Sequence, residues 1–331
     1  MTKIGIVGAG AIGGWIGTQL AGVPGTQISV FARGATLAAL QKDGLQLVRK
    51  DASGAMHTVQ TVVRASHDAA ALGVQDIVIL SVKAPAVQTV AAQITPMLGP
   101  HTVVLSAMNG VPWWFLQGFG GALADQRLHS VDATGTIAQH LPAQHIIGCV
   151  VHASCSTTAP GVVQHHFGNG LLIGEPSGAK SQRVQDLLAL LLEAGFQVTL
   201  SEQIQRDIWF KLWGNMTMNP ISAITGATTD KILDDDLVLG FVSHVMLEAK
   251  AIGARIGIPI EQEPEDRHVV TRKLGSFKTS MLQDVENNKP VELDALVGAV
   301  QELGRLTHVP TPYTDALLGL ARLHARQRGL Y

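Results

Sequence analysis

Over the first hundred or so positions, apolar residues come in short unbroken runs that stop at small or polar residues. Lys3-Ile4-Gly5-Ile6-Val7, Gln27-Ile28-Ser29-Val30-Phe31-Ala32, Asp76 to Val82 and Thr102 to Met108 have strand length. Runs this continuous are expected of parallel strands buried on both faces. After the first run the spacing becomes helical through Ile16 and Leu20. Between residues 128 and 175 apolar residues alternate with polar ones such as Thr134, Thr136, His152, Ser154 and Ser156, which predicts antiparallel strands extending the same sheet. Gly168-Asn169-Gly170 is read as the turn that joins them. A helix over about 182–194 and a strand over 196–200 complete this half.

From Ser201 onward strand signals vanish. Helical spacing predicts helices near 202–218, 230–256, 264–287, 291–307 and 312–327, with breaks at Gly226, Pro259, Pro290 and Pro310. The expected organisation is α/β: a dinucleotide-binding domain over 1–200 with a mixed-sheet extension, then an all-helical domain over 201–331. Such a pair of domains is expected to take substrate between them.

The first strand runs directly into Gly8-Ala9-Gly10-Ala11-Ile12-Gly13, a G-x-G-x-x-G between strand and helix. In that context Gly8 serves the turn, Gly10 lets backbone approach a pyrophosphate, and Gly13 lets the helix pack on the sheet; this is the Rossmann-type fingerprint. The anion would meet free N–H groups at the helix start. After the second strand, where an acid would favour NAD, the chain has Arg33 and no carboxylate before Asp43. A guanidinium suits a 2′-phosphate and points to NADP(H); a solvated surface arginine is the alternative. Lys83 and Asn109 follow the third and fourth strands, where ligands of such sheets bind, or are a surface lysine and a turn-forming Asn-Gly pair.

Charge and composition narrow the function. Hydrophobic residues make up 46% and charged residues 15% of the 331, with a net charge of −2. That balance excludes a broad nucleic-acid footprint. No stretch reaches the length of an uninterrupted membrane span. The first strand begins at Lys3, so no leader segment is expected, and two cysteines without metal-type spacing fit a reduced cytoplasmic protein. The adjacent pair His165-His166 would point to opposite strand faces and makes a poor metal site. Apolar stretches in the helical half fit a homodimer interface and fit core equally.

The run "DIWFKLWGNMTMNP" places Lys211 between Trp209 and Trp213. On a helix, Lys211, Asn215 and Asn219 share one face, and aromatic and aliphatic residues occupy the others. Downstream, "SMLQDVENNKPVELDAL" carries Ser280 and, after Pro290, Glu292. For Glu292 the ordinary reading is an acid in the first turn of a helix.

These segments, with "GAGAIGG", "SVKAPAV" and "MNGV", resemble the ketopantoate reductase (2-dehydropantoate 2-reductase) family over nearly the whole chain. The resemblance implies NADPH-dependent reduction of ketopantoate to pantoate, a step of pantothenate biosynthesis. It implies Lys211 as general acid, Glu292 holding that lysine and the substrate, and Asn215, Asn219 and Ser280 orienting the substrate. Lys83 and Asn109 would border nicotinamide and ribose, and Arg33 the 2′-phosphate. Reduction places negative charge on the carbonyl oxygen, which a pre-placed ammonium stabilises and protonates. The chain departs from the pattern at Val111-Pro112-Trp113-Trp114-Phe115, which either reshapes the pocket toward another branched or aromatic 2-keto acid or is packing. Oxidation of a 2-hydroxy acid and a non-catalytic nucleotide sensor are the further readings.

Overall fold

The computed structural model describes residues 1–51 and 53–331. Contacts divide the chain into two compact units, Met1–Met108 with Thr136–Ile204, and Asn109–Gly135 with Gln205–Tyr331. The division expected at residue 200 keeps 109–135 with the first half, whereas those residues pack with the helices of the second.

The first unit begins with β1 (Thr2–Val7), α1 (Ala11–Ala21), β2 (Thr26–Phe31), α2 (Gly34–Asp43), β3 (Leu45–Lys50), β4 (Met56–Thr61), β5 (Arg64–Ser66) and α3 (Ala69–Leu72). It continues with β6 (Gln75–Leu80), α4 (Ala84–Ile94), β7 (Leu98–Ser106), α5 (Thr136–His140), β8 (Ile146–Ala159), β9 (Val162–Gly174), α6 (Gln182–Glu193) and β10 (Gln197–Leu200). One sheet runs β4-β3-β9-β8-β7-β6-β1-β2-β5, with β10 also paired to β9. β1 lies parallel between β2 and β6, and Ile4 and Ile6 on one face and Gly5 and Val7 on the other are all buried. That is why β1 carries no alternation: both faces are core. α1 packs on this sheet through Trp15, Ile16 and Leu20, and Trp15 meets Phe196 edge-on at 4.9 Å.

The hairpin expectation needs correction. β8 and β9 are antiparallel, but their turn is Pro160-Gly161, with Gly161 at φ +76. Gly168-Asn169-Gly170 lies inside β9. Gly168 has φ +80, and the register slips opposite it between His152 and Ser154, so these glycines make a bulge. A Pro-Gly pair is the stronger turn signal because proline presets the first corner and glycine accepts positive φ at the second.

The second unit contains α7 (Ile204–Thr225), α8 (Thr229–Asp234), α9 (Asp236–Arg255), α10 (Pro264–Arg272), α11 (Ser280–Glu286), a π-helical segment (Asp294–Gly298), α12 (Ala299–Leu306) and α13 (Pro312–Gln327). α7 continues through Pro220, where the sequence predicts an end, and stops at Gly226. The single run expected over 230–256 is split because Asp235 caps α9, accepting from the Val238 amide at 3.0 Å. α7 is tied to α9 by two of its tryptophans. Trp209 Nε1 donates to Ala249 O at 3.3 Å and Trp213 Nε1 to Met246 O at 2.7 Å, both on α9. Each indole thus buries its ring and still satisfies its N–H. Among the described residues α9 alone is long and apolar enough to cross a membrane, and a third of its apolar window is buried in the fold. Leu237, Leu320 and Leu323 on α9 and α13 are exposed.

Candidate active site

The glycine loop is built from backbone. Gly8 has φ +97, and a Cβ there would lie 2.8 Å from the Val82 amide nitrogen. A Cβ on Gly13 would collide with Ser81 Oγ and Gly8 O, so α1 can start this close to the sheet only with glycine there. Ser81 Oγ holds the loop by donating to Gly8 O at 2.8 Å. Gly10 is the N-cap of α1, lacks a side-chain cap, and has nothing within 4 Å of where its Cβ would be. Ala9, Ala11 and Ile12 complete the turn into a helix with no acid in its first turn. Open space in front of uncapped N–H groups, at the positive end of a helix, fits a phosphate.

Arg33 occupies the extended position before α2, its guanidinium 5.4 Å from the Phe31 ring centroid. With Phe31, Gly34, Leu37, His67 and Asp68 it lines an open cavity of about 590 Å³. The carboxylate that lines this cavity, Asp68, caps α3, accepting from the Ala70 amide at 2.9 Å. Lys83 is half-buried at the N-cap of α4, just past β6.

The side-chain part of the site lies in the helical unit. Lys211 and Asn215 are half-buried on α7, the remainder of its middle being buried among the tryptophans. Lys211 Nζ donates to Asn109 Oδ1 at 2.9 Å. Asn219, 5% exposed, points its amide at Ser280 Oγ, 3.4 Å away, at the start of α11. Asn109 is aimed by the turn after it. Gly110 has φ +81, and a Cβ there would lie 2.6 Å from Ala295 O, which accepts from the Val111 amide at 2.8 Å. Ala295 belongs to the π-helical segment two residues beyond half-buried Glu292. A π turn carries an extra residue and re-aims side chains along a helix, which is why such segments gather at functional sites. Glu302 of α12 pins the far end of the 109–135 segment, accepting from the His129 and Ser130 amides at 2.8 Å each.

Of the residues singled out in the sequence, the structure pairs Lys211 with Asn109 and Asn219 with Ser280. Ser81, Gly110, Ala295 and Glu302 went unread, because each acts through contact with a residue remote in the chain. Trp113 and Trp114 are 5% and 0% exposed and belong to the core, so Trp114 cannot form a pocket wall. Cys149 is buried, and burial pushes the Cys155 thiol up to about 12, so Cys155 is not a reactive thiolate. Among the described residues no group of His, Cys, Asp and Glu is placed to hold a metal.

Comparison with known proteins decides the family. Residues 4–178 match the ketopantoate reductase PanE/ApbA family and residues 203–325 its C-terminal domain. The chain belongs to the ketopantoate reductase family. It is 45% identical over 329 residues to a 2-dehydropantoate 2-reductase of Mesorhizobium japonicum, covering 99% of each chain. A Ralstonia solanacearum MolK2 crystal structure assigned as a ketopantoate reductase superposes with TM-score 0.94 at 58% identity, over 100% of this chain and 99% of that one. The 2-dehydropantoate 2-reductase of Methylococcus capsulatus gives TM-score 0.81 at 27% identity, over 98% and 97%. As a ketopantoate reductase family member the chain is an oxidoreductase, with the α/β fold of the family and its helical C-terminal domain.

Proposed function

We propose that the protein reduces ketopantoate to pantoate with NADPH, Lys211 delivering the proton to the carbonyl oxygen. The observation that carries this reading is the half-buried Lys211 ammonium held at 2.9 Å by Asn109. An amide oxygen accepts from the ammonium and so aims it toward where the alkoxide develops. Bound NADPH supplies the hydride. Asn215, Asn219 and Ser280 orient the substrate through its hydroxyl and carboxylate, and Glu292 steadies Lys211 and the substrate hydroxyl. The loop of Gly8, Ala9, Gly10, Ala11, Ile12 and Gly13 takes the pyrophosphate. Arg33 takes the 2′-phosphate, a role supported by its open cavity and by the commitment of Asp68 to a helix cap. Lys83 and Asn109 border the nicotinamide and ribose. The cytoplasm is the place this assignment implies, and exposed Leu237, Leu320 and Leu323 are the side chains a homodimer would cover, which the mass in solution decides.

The test is the initial rate of NADPH oxidation by the purified protein with ketopantoate, with NADH as paired control. Turnover preferring NADPH is expected. Turnover of other branched 2-keto acids alone would replace the substrate, and tight NADPH binding without turnover of any keto acid would make the protein a sensor.

A further inference from the structure

The short segment that carries Glu292 is held from outside by two other parts of the helical unit. One is the turn after Asn109, whose Val111 amide donates to Ala295 O at 2.8 Å. The other is the chain that follows α13. There Gly329, at φ +66, turns the backbone, with the Leu330 amide donating to Ala325 O at 2.9 Å and the Gly329 amide to Arg326 O at 3.0 Å. This pair of bonds is a Schellman motif, which places a left-handed residue just after the helix and commonly buries the apolar residue that follows. Leu330 is that residue, 3% exposed, and its carbonyl accepts from the Val291 amide at 3.1 Å. Tyr331 then lies with its ring centroid 5.2 Å from the Arg326 guanidinium, and its hydroxyl donates to Asp294 Oδ1 at 2.6 Å. Burial first, and then Asp294, push the Tyr331 hydroxyl up to about 12, so the phenol keeps its proton and stays a donor. A short bond from a hydroxyl to a carboxylate is of the stronger, charge-assisted kind.

These ties bracket one residue. Val291 immediately precedes Glu292, and Asp294, two residues on, opens the π-helical segment. Val291 and Leu293 are buried on either side of it in the chain, whereas Glu292 is half-buried. A π turn departs from the regular α ladder, so bonds from outside carry more of its conformation. We propose that Tyr331 is a positioning residue for the reduction. Through Asp294, with Leu330 acting through Val291, it sets the direction in which the Glu292 carboxylate is presented to Lys211 and the substrate. This inference rests on the reductase reading and on the role of Glu292 in it, and adds the group that holds that acid in place.

The test is steady-state kinetics of Tyr331→Phe, which removes only the hydroxyl and keeps the ring beside Arg326, together with Glu292→Gln and the double variant. Tyr331→Phe is expected to lower kcat for ketopantoate about 3- to 10-fold, the scale of one net hydrogen bond, with NADPH affinity unchanged. In the Glu292→Gln background the same change should cost nothing further, because the residue it positions is already disabled. Equal losses in both backgrounds, or a lowered melting temperature with kcat kept, overturn the proposal. A second measurement does not need turnover: hydrogen exchange of the amides of 291–298 should quicken in Tyr331→Phe while that of α9 stays as in the wild type. Gly329→Ala, where a Cβ meets nothing within 4 Å and only the positive φ is strained, should quicken the same amides. If the wild type reduces no keto acid, the reductase reading fails by itself, and exchange still decides the hold of Tyr331 on this segment: quicker exchange supports it, and unchanged exchange overturns it.

Discussion

The glycine loop of the sheet unit and the lysine face of the helical unit, the sites proposed for the cofactor and the keto acid, present their donors by opposite means. The loop uses the backbone of a few consecutive residues, and its geometry follows from where glycine is required, at Gly8 and Gly13. The lysine face uses side chains separated by 102 positions for Lys211 and Asn109 and by 61 for Asn219 and Ser280. A backbone site tolerates change in the surrounding side chains, because its donors are present in every residue but proline. A side-chain site depends on every element that aims it, here α7, the turn at Gly110 and the π-helical segment.

That contrast is broken most strongly by Lys211→Ala. The expected loss is about 10²- to 10⁴-fold in kcat, the scale of a positioned general acid, with NADPH affinity kept because the glycine loop is untouched. Stopped-flow turnover and a fluorescence titration of NADPH read the two halves separately; near-normal turnover would remove Lys211 from the chemistry. Arg33→Ala is expected to show the reverse pattern. NADPH affinity should fall about 10- to 100-fold while NADH affinity barely moves, since only the 2′-phosphate loses its charge-assisted partner; equal losses for both nucleotides would leave Arg33 without that role.

Gly110→Ala tests the aiming of the side-chain site. The new methyl would meet Ala295 O, and φ +81 is strained for alanine, a cost of about 1–3 kcal/mol. The expected result is a lowered melting temperature together with a reduced kcat, while NADPH affinity is unchanged. An unaltered kcat would mean that Asn109 does not depend on this turn.

The smallest effect expected is on pH dependence in the helical unit. His268 is 7% exposed with Ser243 Oγ 2.9 Å from its Nε2, and burial lowers its pKa from 6.5, opposed by Glu265 and aided by Arg272. The folded state then binds its proton less readily than the unfolded state. Stability is full above the unfolded value near 6.5 and declines as pH falls through it toward the lower folded value. His268→Gln should flatten the fall in melting temperature on acidification, measured by calorimetry across that range; an unchanged slope assigns the acid sensitivity elsewhere.

Legibility in the sequence follows the same division. The β1–loop–α1 unit could be read residue by residue because strand run, glycine spacing and helical period are local and agree. The stripe of Lys211, Asn215 and Asn219 was visible because its period is that of a helix. The Gly168–Gly170 bulge was misread as a turn, since glycine serves both and only strand pairing tells them apart. Trp113 and Trp114 read as pocket wall or as core, because an aromatic pair carries no sign of which side it faces. α7 passes Pro220 because packing against α9 holds a helix that proline alone would end.

Short-range pattern along the chain was enough for a nucleotide-type loop at the first β–α turn, a change from strands to helices near residue 200, and a lysine on a polar stripe within an aromatic helix. These are short-range matters of period, conformational freedom and residue type. Tertiary structure alone decided that residues 109–135 pack with the helical unit, that Asn109 meets Lys211, and that the π-helical carbonyl of Ala295 sets the turn between them. Each joins positions far apart in the chain, where burial and steric fit select the partner.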